Sequence, residues 1–281
     1  MKNFLIILKK YVLTPVLVLC VFLLISFFTV DTLTTPSNNR VWNNDQKVLP
    51  YSTLHGDLVT VHNIRNFTYA STTSYTEDYY DKTFNLLEMK RAWFVVEPFD
   101  GVPGSAHTFL SFEFENDQFL SVSIEIRKEK GESFDPFLAL YNRYELVYVI
   151  ADEKDVIKLR SNYRKDSVYL YPASGTKEGF KELLLDMLKR ANELKEKPEF
   201  YNTLTNNCTT NIVKHVNKVS PKRVPFFTLQ SVFPKYSDKL AYKLGLIDTT
   251  LPFDKVRTHY LINEKAMKYA DDINFSNRIR E

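Results

Sequence analysis

Residues 11–30 form a run of twenty side chains with no charge among them, and this run constrains the chain more than any other feature. A helix needs ~20 predominantly apolar residues to cross the hydrocarbon core of a bilayer. Thr14 and Pro15 are tolerable within such a helix. Lys2, Lys9 and Lys10 precede the run, which keeps that end cytoplasmic and exports the rest of the chain. A cleaved signal peptide is the rival reading, but the run is long for one and no small-x-small site comes after it. Cys20 is not a lipidation site, because Leu19 stands where a small residue is needed. The expected organisation is a cytoplasmic stub at 1–10, a transmembrane helix at 11–30 and a tether with an extended arm at 31–57. A folded domain at 58–220 and a helical extension at 221–281 complete it.

Roughly 250 residues come after the apolar run, enough for a substantial core. The net charge is +3, with Lys and Arg interspersed among Asp and Glu. Without a polybasic tract, nucleic acid is not an expected partner. Of the two cysteines, Cys20 lies in the apolar run, so Cys208 has no partner in the exported part. Its thiol is either buried and inert or reactive. Neither CxxC nor HExxH occurs, and His55, His62, His107, His215 and His259 form no ligand-spaced pair. No metal and no cofactor are expected.

Beyond the arm the pattern reads as strands and then helices, an α+β fold with an antiparallel sheet and packed helices. Strands are expected at 57–62, 91–97, 144–150 and 167–171, with a Gly/Pro loop at 98–105. Residues 107–115 and 119–127 form the clearest hairpin, turning at Asn116-Asp117. Phe180, Leu183, Leu184, Met187, Leu188, Ala191 and Leu194 then recur at helical spacing, and Pro198 marks the stop. A second helix opens at Asn206-Asn207-Cys208, with Ile212, Val213 and Val216 on its apolar side and Pro221 at its end. The tail reads as short helices broken by Pro225, Pro234, Gly245 and Pro252.

Cys208 at a helix start is where a thiolate gains from the unpaired backbone N–H groups, which could also hold an oxyanion. Thr205 or Asn206 would cap that helix. A nucleophilic cysteine needs an imidazole to take its proton. His215 is seven residues on, about 10 Å along a helix, too far to serve. His107 comes directly after the Gly/Pro loop and can be brought close by the fold. Ser123 and Glu125 lie on the neighbouring strand. With a three-residue hairpin loop they share His107's face and Glu125 can orient the ring; with two they point away.

Several blocks resemble the periplasmic domain of the Lnb family of bacterial lipoprotein N-acyltransferases. They are Asn63-Ile-Arg-Asn-Phe-Thr-Tyr69, Ala106-His-Thr-Phe-Leu-Ser-Phe112, Ser123-Ile-Glu-Ile-Arg127 and Tyr144-Glu-Leu-Val-Tyr148. Asp152-Glu-Lys-Asp155, Tyr169-Leu-Tyr-Pro172 and Phe200-Tyr-Asn-Thr-Leu-Thr-Asn-Asn-Cys-Thr-Thr210 complete the series. Each is weak alone; their order and spacing are the specific feature. The resemblance implies a permuted papain-like thiol fold, of the NlpC and lecithin-retinol acyltransferase kind, in which His precedes Cys, as His107 precedes Cys208. It implies that the cysteine takes an acyl chain from a phospholipid as a thioester and passes it to a diacylated lipoprotein's N-terminus. The site expected from it is Cys208, His107, Glu125 and Ser123 for catalysis, with Asn207 and Arg127 binding substrate. The setting would be a single-pass inner-membrane protein with its domain in the periplasm. Members that give the family its name carry further transmembrane helices after this domain, whereas this sequence runs into a polar tail, which leaves the acyl acceptor open. A cell-wall amidase or endopeptidase using the same pair, and an anchored binding domain without catalysis, are the alternatives.

Overall fold

A computed structural model describes residues 9–226 and 228–281. Most of the expected stub, Lys2 included, lies outside the described residues. Helix α1 (Thr14–Leu33) comes after a wide turn at Lys9–Leu13. Its described apolar side chains, Val16, Leu17, Phe22 and Ile25 among them, are exposed. Among the described residues no helix is long and apolar enough to cross a membrane. The expected span also contains side chains that are not described, those of Cys20, Leu23, Leu24, Phe27, Phe28 and Val30.

The body is built on one eight-stranded sheet. Its strands are β1 (Tyr51–His55), β2 (Leu58–Arg65), β5 (Tyr79–Asn85), β6 (Met89–Pro98), β7 (Ala106–Phe114), β8 (Gln118–Arg127), β9 (Glu145–Ala151) and β10 (Tyr169–Pro172). The order is β1-β2-β9-β8-β7-β6-β10, with β5 paired to β2. All pairs are antiparallel except β2 with β9. A separate ribbon joins β3 (Thr68–Tyr69) to β4 (Tyr75–Thr76).

Both faces of the sheet are covered, and along β9 every side chain is buried. Helices α3 (Lys177–Glu196) and α4 (Cys208–Val219) cover the first face. The seven residues read as the stripe of α3 are all buried, together with Leu110, Phe112, Val122, Tyr148 and Cys208. Thr176 caps α3, its hydroxyl accepting the Gly179 N–H. The second face is covered by α2 (Glu153–Lys158), the wide turn Leu159–Arg164, and residues of the C-terminal segment. Ile262, Ala266, Phe275 and Ile279 pack there against Trp93, Phe109, Val147 and Val149.

Two expectations about organisation need correction. The helical extension at 221–281 packs onto the body: residues 262–279 complete the second face, Ile247 and Val256 pack against Val96, Ala106 and Tyr171, and bridges Tyr169↔Leu261 and Ala173↔Ile247 tie it to the sheet edge. The arm is likewise part of the body, since it contains β1 and since Trp42 pairs with Glu129. Alternation could not reveal either fact, because a sheet buried on both sides gives near-continuous apolar runs that do not say what covers each side.

Candidate functional site

The turn before α4 is locked by hydrogen bonds within itself. Asn207 is the cap: its Oδ1 accepts the Thr210 N–H at 2.8 Å, and Thr210 Oγ1 accepts the Asn207 N–H at 2.9 Å. The expected caps, Asn206 and Thr205, lie one and two residues too early. Asn207 Nδ2 also donates to the Thr203 carbonyl at 2.6 Å, and the residue is 3% exposed. Its side chain is committed to the fold, which corrects its assignment to substrate binding.

The cap leaves Cys208 as the first helical residue, buried and unpaired with any other cysteine. Its sulfur stands 3.8 Å from Thr209 Oγ1, which meets Thr108 Oγ1 of β7 at 3.0 Å. Tyr201 is a neighbour: burial first, and then charge on Cys208, hold its hydroxyl well above its ordinary range.

The Thr108–Thr209 contact decides where His107 goes. Side chains alternate along a strand, so with Thr108 facing α4, His107 faces the other side of the sheet. The expected pairing of His107 with Cys208 is therefore corrected: the sheet lies between them. On its own face His107 stacks on Phe109 and its Nε2 lies 2.7 Å from Ser123 Oγ. The hairpin loop is the three-residue kind, with Phe114↔Gln118 the last pair and Asn116 and Asp117 both left-handed. Ser123 and Glu125 accordingly share His107's face. Ser123 Oγ donates to Glu125 Oε1 at 2.8 Å, so the serine stands between the ring and the carboxylate, which are 3.8 Å apart.

Sequence reasoning missed what sits behind them. Arg160, 2% exposed, donates to Glu97 Oε2 at 2.6 Å and to Glu125 Oε1 at 2.8 Å, and covers the Phe109 ring. Glu97 is opposite His107 across β6 and β7. Beside this cluster Asp155 accepts both Arg65 Nε and Nη2 at 2.8 Å, and also the Phe67 N–H and the Tyr69 hydroxyl. Arg65 and Asp155 both lie in the resembling blocks, the one signal that could have found them; nothing around Arg160 marks it.

Burial, reinforced by the Arg160 charge, lowers His107 to about 3. Burial would raise Glu125, but the Arg160 charge, with Arg65 and the Ser123 hydroxyl, outweighs it and holds it below the ordinary carboxylate range. Burial lifts Glu97 to about 7 against the pull of Arg160 and Arg164. His107 is thus neutral and a weak base. Arg127 is also corrected. It is 2% exposed, stacks on Trp42, and donates to the carbonyls of Gln46 and Lys47 and to Asn38 Oδ1, clamping the arm instead of binding substrate.

The histidine on the cysteine's side is His215. Its Nδ1 lies 2.6 Å from Asp186 and its Nε2 2.7 Å from the Tyr148 hydroxyl, so both nitrogens are engaged. On this face a cavity of about 260 Å³ opens between the sheet, α3, α4 and the segment after α4. Its walls are mainly apolar, with Phe94, Leu110, Phe180, Leu183, Ile212, Val213, Val216 and Leu240; Thr209, the residue after Cys208, also lines it, whereas Cys208 itself does not. Among the described residues no group of three or more His, Cys, Asp or Glu side chains is placed to hold a metal ion.

Residues 75–235 match the model of the Lnb N-terminal periplasmic domain. No curated protein and no solved structure matches the chain.

Proposed function

This chain belongs to the Lnb N-terminal periplasmic domain family, and on that premise we propose that it is a membrane-tethered thiol acyltransferase of lipids. The observation that carries this is the apolar cavity along α4, whose lining includes Thr209, the residue after Cys208. Its lining suits an acyl chain, whereas the peptide substrate of a cell-wall amidase would leave polar groups unpaired there. A helix-start cysteine packed against a mainly antiparallel sheet supports a papain-like arrangement.

In the reaction the Cys208 sulfur attacks the ester carbonyl of a phospholipid. A carbon–sulfur bond forms, the ester carbon–oxygen bond breaks, and the thiol proton goes to the departing lysophospholipid oxygen. The N-terminal amine of a diacylated lipoprotein then attacks the thioester. The carbon–nitrogen bond forms, sulfur leaves, and the amine's proton returns to it. The N–H groups at the start of α4 would hold the oxyanion in both steps. His107 has no part in this account. A second reading is favoured by that same placement: with no imidazole beside Cys208, the domain holds acyl chains without covalent chemistry.

Incubation of the full chain with vesicles of one acyl composition separates the two. The acyltransferase reading expects an acyl mass on Cys208 that hydroxylamine removes and that Cys208→Ala lacks. Acyl-chain binding with no such adduct supports the second reading and overturns the first.

A further inference from the structure

Residues 133–141 form a loop that displays apolar side chains outward. Phe137 is 75% exposed and Leu138 47%, while Phe134 and, from a neighbouring turn, Leu204 are exposed beside them. The loop is held from below. Asp135 Oδ1 accepts the N–H groups of Phe137 and Leu138, the Tyr144 hydroxyl accepts the Asp135 N–H and donates to the Ser133 carbonyl, and Ala139 is buried beneath. An ordered loop presenting large apolar side chains to the outside marks an interaction surface.

Its position identifies the partner. Asn142, one residue past the loop, donates to Thr34 Oγ1, and Thr34 comes directly after α1. Next, the Ser37 N–H donates to Glu145. The described apolar side chains of α1 are exposed along its length, and Leu33 at its end is 78% exposed. The patch and the apolar helix therefore meet at one corner of the molecule. The loop is also joined to the turn that carries the cysteine: Thr203 Oγ1 donates to the Pro136 carbonyl, and Asn207, the cap of α4, donates to the Thr203 carbonyl.

We propose that Phe134, Phe137, Leu138 and Leu204 dock into the headgroup boundary of the lipid bilayer that holds α1, setting the Cys208 end of α4 against the membrane surface. The proposal rests on the membrane-tethered reading and is independent of the thiol chemistry. Large aromatic and aliphatic side chains at the end of an apolar helix suit that boundary, where part of each residue remains among polar groups.

The test uses the full chain in phosphatidylcholine–phosphatidylglycerol vesicles whose acyl chains are brominated and quench tryptophan on contact. Native Trp42 and Trp93 are both buried and give the baseline. Three single variants add a reporter: Phe137→Trp in the loop, Ile25→Trp in α1, and Ile273→Trp, exposed on the C-terminal segment. The expected result is loss of the added emission from Phe137→Trp and Ile25→Trp, and none from Ile273→Trp. Quenching of Ile25→Trp alone would put the loop away from lipid, facing water or a protein, and overturn the docking. Quenching of neither would remove the tether as well, and the docking with it, while leaving acyl transfer to its own assay.

Discussion

On the face covered by α3 and α4, Leu110, Leu183 and Ile212 form an apolar layer with a cavity left in it, and the polar groups are few and paired locally. On the opposite face Arg65 is paired with Asp155, and Arg160 with Glu97 and Glu125, all largely buried, with Glu97 Oε1 left without a hydrogen bond. The first arrangement tolerates change because space is available. The second does not, because each buried charge depends on its partner. The residues expected to form one site are divided between these faces, Cys208 on the first and His107 on the second.

Breaking the charged face should have the largest effect. Arg160→Met leaves Glu97 and Glu125 buried without their guanidinium, and the expected cost is about 3–5 kcal/mol in denaturant unfolding. Val216→Met on the other face fills cavity space, and stability should stay within about 1 kcal/mol. The same variant should weaken binding of a fluorescent fatty acid. If Val216→Met proves as damaging as Arg160→Met, the contrast between the faces is lost.

A smaller effect concerns pH. The folded value of His107, about 3, lies below its ordinary 6.5. The unfolded chain therefore takes the proton first. The stability this confers is full above pH 6.5 and is lost as pH falls toward 3. Glu125, also lowered, acts in the same direction at the acid end. His107→Gln removes the titrating ring, and the difference in melting temperature between it and the unaltered chain should shrink as pH falls below 6.5. A constant difference from pH 7 to pH 4 would place the ring in contact with solvent.

The smallest effect tests the contact that decides the geometry. Thr108→Val removes the hydroxyl bonded to Thr209 and should cost about 1 kcal/mol. A neutral result would mean that the Thr108–Thr209 bond contributes nothing to seating α4.

Much of this fold was legible in the chain. The stripe from Phe180 to Leu194 is the buried side of α3, and the hairpin turned where Asn116-Asp117 indicated. The three-residue loop, one of two alternatives, sufficed to put Ser123 and Glu125 beside His107. What could not be read was which face α4 would cover. β7 carries Leu110 and Phe112 on one side and Phe109 on the other, so its pattern is apolar on both and gives no sign of which side meets Cys208. Nor could the role of the tail be read, because its short helices bury only isolated residues such as Ile262 and Phe275. Arg127 and Asn207 were misassigned because polar residues beside an expected site look the same in sequence whether they bind substrate, clamp an arm or cap a helix.

In the proposed acyl transfer Cys208 acts without His107. With Cys20→Ser as background, Cys208 is the only thiol, and its alkylation by iodoacetamide can be followed across pH with and without His107→Gln. The account predicts that rate and pH midpoint are unchanged by the histidine substitution, since the sheet lies between the two side chains. A slower reaction with its midpoint moved upward toward the free-thiol value would contradict it and restore the two residues to one site.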